Sequence, residues 1–157
     1  MTKLVIREKV LLPVPPAEAF DFLVSAEAVP LFDGYGPVPG IERLVWEQGQ
    51  SDLVGSEGVV HSRDGSTHRE RVLVSDRPHL YVIKIWDFSS PFRFLTNDAR
   101  ESWTLEPTAQ GTSAVREFSF TLRSPILYPL ARVVAAAFRR ALKVNHDNMH
   151  AYFRKLS

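Results

Sequence analysis

The stretch PILYPLARVVAAAFRRALKVNHDNMHAYFRKL, Pro125 to Leu156, decides the fold. On a helical wheel, Leu130, Val134, Ala137, Ala141, Asn145, Asn148 and Tyr152 share one face, and Arg132, Arg139, Lys143 and His150 share the opposite one. Pro129 falls where it either sits in the first turn or bends the helix. A helix of about thirty residues is about 45 Å long, at 1.5 Å per residue. That is too long for a simple cap, so it must cross most of a sheet. Its inner face runs from apolar (Leu130, Val134) through small (Ala137, Ala141) to polar (Asn145, Asn148, Tyr152). A molecule held under it should be amphipathic, with its polar end toward the helix C-terminus.

Upstream of this helix the sequence reads as strands and turns. Leu4 to Leu12 alternates and is rich in Val, Ile and Leu, which predicts a strand ended by Pro13, Pro15 and Pro16. Pro16 suits the first turn of a helix, where a missing N–H costs nothing. A short helix follows over Ala17–Ser25, with Phe20, Leu23 and Val24 on one face, and a second short turn over Ala26–Phe32. Gly34-Tyr35-Gly36-Pro37-Val38-Pro39-Gly40 is a tight loop. It is not a phosphate loop: the third glycine of a dinucleotide fingerprint is absent, no Lys-Ser/Thr follows and no strand precedes it. Strands are then expected at Ile41–Glu47, Glu57–Arg63, Thr67–Asp76, Leu80–Phe88, Arg100–Glu106 and Thr112–Leu122. The Asp64-Gly65, Arg77-Pro78 and Ala109-Gln110-Gly111 turns join several of them, so the sheet should be an antiparallel meander.

Composition bounds the remaining choices. The chain has 157 residues, 45% of them hydrophobic and 24% charged, which suits one globular domain spanning 1–157. With no cysteine, disulfides, thiolate nucleophiles and cysteine-ligated zinc are excluded, and a reducing cytoplasm fits this composition. Met1 to Val10 has no apolar core of a signal peptide, and Val133 to Phe138, the longest apolar run, is too short to span a bilayer. Net charge is +1 but uneven: Arg123 to Ser157 carries seven Lys/Arg against one Asp, and Met1 to Leu122 carries twelve against seventeen Asp/Glu. The basic helix face is either simply solvated or a contact for an acidic partner or a membrane surface. Nucleic-acid binding is not expected, because no aromatics interleave with those basic residues.

The element order resembles the helix-grip superfamily, which includes START domains, the birch-pollen allergen family and bacterial polyketide cyclases. The resemblance is carried by Val14-Pro15-Pro16-Ala17-Glu18-Ala19-Phe20-Asp21-Phe22-Leu23, Gly55-Ser56-Glu57-Gly58, Asp76-Arg77-Pro78, Trp103-Thr104-Leu105-Glu106-Pro107 and Gly111-Thr112. It covers nearly the whole chain and is nearest to the polyketide cyclase/dehydrase-like branch. It implies an α+β helix-grip fold: a curved antiparallel sheet of about seven strands wrapped around a long C-terminal helix, with two short helices after the first strand. It also implies an internal cavity for an apolar molecule such as a lipid or polyketide, with no cofactor. The branch has no shared catalytic motif, so no catalytic residue is carried over.

Several polar groups are candidates for that cavity. A two-residue Asp64-Gly65 loop would put His61 opposite His68, so that His61, His68 and Glu70 face inward. Together they could bind a metal as a facial triad, act as acid and base, or stand idle at a wet hairpin tip. Asn145, Asn148 and Tyr152 would hydrogen-bond either a ligand or the strand backbone and water. Glu101 and Arg116, on faces shared with Trp103, Phe118 and Phe120, would form either a buried pair that orients a ligand or an edge salt bridge. Trp86, Phe92 and Phe94 belong to an aromatic run around Ser89-Ser90-Pro91 that is either a lid or core. With Val134 and Phe138 of the helix, these form the candidate ligand-binding set.

Three functions fit. The first is binding of a hydrophobic or amphipathic small molecule without catalysis, by a monomer or homodimer. The second is a polyketide aromatase/cyclase using the cavity His and Glu as acid and base. The third is a protein-interaction module using the basic helix face. Neither Gly-x-Ser-x-Gly, His-Glu-x-x-His nor a Walker loop is present.

Overall fold

Alternation of side chains along the strands builds the inner face of a curved sheet, and the computed structural model describes all of residues 1–157. In β1 (Lys3–Leu12), Leu4, Ile6, Val10 and Leu12 are buried while their neighbours face out. Helix α1 (Pro16–Leu23) starts at Pro16 as its locked φ favours, and buries Ala19, Phe20 and Phe22. The expected second helix is a single 3₁₀ turn, Val29–Leu31. The glycine–proline loop contains a minimal hairpin, β2 (Gly34–Tyr35) against β3 (Val38–Pro39).

Strands β4 (Ile41–Gln48), β5 (Glu57–Ser62), β6 (Thr67–Asp76), β7 (Leu80–Trp86), β8 (Thr96–Thr108) and β9 (Gly111–Leu122) follow as an antiparallel meander. The first strand closes the row beside β9, giving the order β1-β9-β8-β7-β6-β5-β4. This is the seven-stranded sheet the sequence predicts. Strand β8 begins four residues before the expected Arg100, because Thr96 pairs with Leu122 and its hydroxyl bonds Thr121 O at 2.7 Å. The β8–β9 turn needs Gly111: its φ is 139°, and a Cβ there would lie 2.3 Å from Leu12 O.

The β5–β6 turn overturns one sequence expectation. Val60 pairs with His68 and His61 with Thr67, and Ser62 N–H donates to Ser66 O. The loop is therefore the three residues Arg63-Asp64-Gly65, with Gly65 at φ 87° in the left-handed position that such loops require. Asp64 stabilises it by accepting from both the N–H and the hydroxyl of Ser66. One extra loop residue shifts the register by one, so Val60, Ser62, His68 and Glu70 face inward and His61 faces out.

Helix α2 (Tyr128–Leu156) has Pro129 in its first turn, as expected, and runs 29 residues across the sheet. Its buried face is Ala131, Ala135, Ala141, Leu142, Asn145, His146, Met149 and Phe153. The buried face is displaced by part of a residue step from the expected stripe: Ala141 and Asn145 of that stripe are buried, and Val134, Ala137, Asn148 and Tyr152 are half-buried. Leu130 is exposed, and His146, expected on neither face, is buried. The observed stripe buries Leu142, Met149 and Phe153 and half-buries Phe138, more apolar area than Leu130, Val134, Ala137 and Ala141 offer. Ala141 is fully buried against the core and lines no cavity, so its small size serves close packing. The phase is testable: Leu142→Ala should cost about 2–5 kcal/mol in chemical denaturation, and Leu130→Ala less than about 0.5 kcal/mol.

Candidate functional site

The sheet and α2 diverge around two adjoining cavities. The larger, about 150 Å³, lies between the inner faces of β1, β7, β8 and β9 and the first half of α2. Its walls are mostly apolar, among them Ile6, Ile85, Phe118, Phe120, Val134 and Phe138, and Phe88, Phe92 and Leu95 close one side. The smaller, about 110 Å³, lies under α1 and the 3₁₀ turn, lined by Leu23, Trp46, Tyr81, Trp103, Asn145 and Met149 among others. Glu70, Glu101, Arg116, Phe32 and Ile41 border both, so a polar partition separates the two chambers.

Arg116 organises that partition. Alternation along β9 turns it inward with Ala114 and Phe118, and it is only 8% exposed. Its Nε donates to Glu101 Oε2 at 2.6 Å. Its Nη1 donates to Asn145 Oδ1 at 2.6 Å and lies 3.4 Å from His146 Nε2. The guanidinium carbon stands 4.6 Å from the Trp103 ring centre and 5.0 Å from that of Phe118, so two aromatic faces stabilise the cation. The second terminal nitrogen, Nη2, and Glu101 Oε1 have no protein partner. Neither is sealed from open space, since no buried polar side-chain atom lacks a partner. Across the larger chamber, His68 Nε2 lies 3.8 Å from Glu70 Oε1, beyond hydrogen-bond reach.

Burial sets the charges here. It pushes the Glu101 carboxyl up; the Arg116 cation opposes this, and the Glu70 carboxylate adds to it. Burial pulls His146 down to about 3, helped by the Arg116 and His150 charges. His146 is therefore a neutral imidazole at pH 7, able to accept at Nε2 from Arg116.

The remaining expected site residues divide. His68, Glu70, Phe92, Glu101, Arg116, Phe118, Phe120, Val134 and Phe138 line the larger chamber, and Trp103 and Asn145 the smaller. His61 faces out with its strand neighbours reversed, so the expected trio of His61, His68 and Glu70 does not assemble. Trp86 lies on the outer face, where Lys84 Nζ and the Arg69 guanidinium stack at 5.3 and 5.9 Å. Phe94 is exposed beneath Arg93. Asn148 donates to Leu31 O and Asp33 Oδ2, both at 2.9 Å, and the Tyr152 hydroxyl donates to Glu27. The polar edge of the larger chamber is thus the partition at Asn145 and His146, which lies on the C-terminal side of the α2 residues lining that chamber but at mid-helix. Phe32, Ile85 and His146 were missing from the sequence reading. Period-two alternation through Ile83 and Ile85 signals the second, and the correct wheel phase the third.

A pH test follows from His146. Its folded pKa lies below the unfolded value of about 6.5, so the unfolded chain binds the extra proton between about pH 6.5 and 3. Stability should fall on acidification through that window, by up to about 1.4 kcal/mol per pH unit from this group. Glu101 slopes the opposite way, because its raised pKa makes the folded state the better proton binder. The comparison is therefore between native protein and His146→Gln, whose denaturation midpoints should decline less steeply below pH 6.5.

Comparison with known proteins agrees with this architecture. The crystal structure of Ara h 8.0201 superposes with a TM-score of 0.68 at 18% identity, covering 94% of this chain and 98% of its own. Norcoclaurine synthase from Thalictrum flavum, solved with dopamine and hydroxybenzaldehyde, gives 0.69 at 12% identity, covering 99% and 89%. A Rhodobacter sphaeroides protein gives 0.69 at 14% identity, covering 98% and 93%. At these identities the likeness shows the helix-grip fold alone. No curated protein matches by sequence. The family model for polyketide cyclase / dehydrase and lipid transport matches residues 3–154, and the chain belongs to that family.

Proposed function

We propose that this protein binds a small, largely apolar molecule carrying a hydroxyl or carbonyl group, and holds it in the larger chamber without chemical change. The observation that carries this reading is the combination of an apolar chamber with a buried Arg116–Glu101 pair that still has a free donor and a free acceptor. Apolar walls supply affinity, and a few oriented polar groups fix orientation. A hydroxyl can accept from Arg116 Nη2 and donate to Glu101 Oε1 at once. Size narrows the guest: an apolar cavity of about 150 Å³ holds one benzene-sized ring. A longer molecule would have to pass the partition into the second chamber. The solved norcoclaurine synthase complex holds two small aromatic molecules, which supports the size class. Carriage is the simpler reading because His61 turns outward, which leaves His68 and Glu70 in the chamber with no hydrogen bond between them.

The test is titration with methyl anthranilate, a neutral single-ring fluorescent dye of the size the chamber admits, displaced by substituted phenols. Native protein should enhance dye fluorescence saturably. Val134→Trp, which fills the chamber from the helix, should lose at least about tenfold in affinity, because the indole occupies the dye's volume. Leu130→Ala, on the outer face, should bind as native does. Equal binding by native protein and Val134→Trp would place the dye elsewhere and contradict the reading.

A further inference from the structure

Large apolar side chains scattered singly on a surface need no explanation. One group on this protein is not scattered. Ile126, Leu130 and Val133 are 83%, 56% and 68% exposed, and they follow one another at spacings of four and three along the 125–127 turn and the start of α2. Phe94, 65% exposed, stands beside this segment. Its 3₁₀ turn (Pro91–Phe94) is tied there by the Arg123 N–H donating to Leu95 O at 3.0 Å and by Arg123 Nε donating to Arg93 O.

Cations neighbour these side chains along the chain: Arg93 stacks on Phe94, Arg123 precedes Ile126 by three residues, and Arg132 adjoins Val133. Arg93, Arg123 and Arg132 form no ion pair, and the sequence has no Asp or Glu from Arg123 to His146. Farther along the helix Arg139 bonds Glu8, and Arg140 donates to and stacks on Tyr35. The patch also abuts the larger chamber. Phe94 lies between the wall residues Phe92 and Leu95 in the chain, and Leu130 and Val133 flank the wall residues Ala131 and Val134.

We propose that this patch docks the protein on an anionic membrane surface, with Phe94, Ile126, Leu130 and Val133 at the acyl boundary and Arg93, Arg123 and Arg132 among the lipid headgroups. Exposed apolar tips flanked by arginines that form no ion pair have the composition of an interfacial membrane contact. A twofold-related copy is the poorer occupant, because each of the three arginines would approach the like-charged cluster of the other copy. Docked this way, the chamber wall at Phe92, Leu95 and Val134 faces the bilayer, and an apolar guest can transfer without crossing water. The docking does not depend on which molecule the chamber holds.

The experiment is co-sedimentation of the full chain with vesicles of phosphatidylcholine alone and of phosphatidylcholine mixed with phosphatidylglycerol. Binding is expected to the mixed vesicles, weakening as salt is raised. Ile126→Glu/Leu130→Glu/Val133→Glu, all at exposed positions, should weaken it by at least about tenfold, through lost apolar burial and added negative charge. Arg132→Gln should weaken it roughly fivefold. Both variants should melt within a few degrees of native, and native-like dye binding shows that the chamber is intact. The proposal is overturned if neither vesicle is bound, if phosphatidylglycerol makes no difference, or if the triple variant binds as native does. It is equally overturned by a native dimer that the triple substitution dissociates while vesicles stay unbound, which would assign the patch to self-association.

Discussion

Taking an arginine and a glutamate out of water costs several kcal/mol per ion, and the interior of this protein is arranged around that cost. Arg116 recovers it from five groups: the Glu101 carboxylate on the neighbouring β8, the Asn145 amide and His146 ring on α2, and the faces of Trp103 and Phe118. These contacts tie two strands to the middle of the long helix. They also explain two residues that would otherwise be out of place. Asn145 is nearly fully buried because its amide oxygen accepts from a cation, and His146 stays neutral because it is buried, with the Arg116 charge beside it adding to the effect.

The same pair divides the space between sheet and helix. Apolar side chains of suitable volume would hold strands and helix together at least as well as a buried ion pair does. What they could not supply is a donor and an acceptor facing an apolar chamber. Glu70 and His68 extend that polar edge across the sheet, their side chains 3.8 Å apart and not hydrogen-bonded to each other. The interior therefore offers directional contacts at one place, the partition, and unspecific apolar contact everywhere else.

Most of the fold was legible in the sequence because it rests on periodicity. Alternation placed every strand of the meander, Pro16 and Pro129 marked helix starts, and the long helix followed from its 3.6-residue pattern. Two of the errors are shifts of phase, in the β5–β6 register and in the wheel of α2. The Arg63-Asp64-Gly65 loop holds one residue more than Asp-Gly alone suggests, and since side chains alternate, that residue sends His61 outward and leaves His68 and Glu70 inside. The wheel of α2 was set by its mixed apolar-to-polar stripe, whereas packing chose the stripe with the larger side chains, Leu142, Met149 and Phe153. Asn148 and Tyr152 left the site for the same reason, and found Asp33 and Glu27 instead. The Glu101–Arg116 contact could not be decided locally: alternation gives the facing of each residue, but only the β8–β9 register and the crossing of α2 show that the pair is covered.

If the ion pair serves recognition more than stability, replacing both partners separates the two roles. The measurement is the affinity ratio of a phenol to its deoxy analogue, in native protein and in the Glu101→Leu/Arg116→Met double variant, alongside the unfolding free energy of each. The double variant is expected to fold with stability equal to native or greater, as apolar replacements of buried ion pairs often do. It is also expected to lose the preference for the hydroxyl, a ratio of up to about tenfold for one hydrogen-bonded group. A double variant that keeps the native preference would contradict the account, as would a native protein that does not distinguish the two ligands.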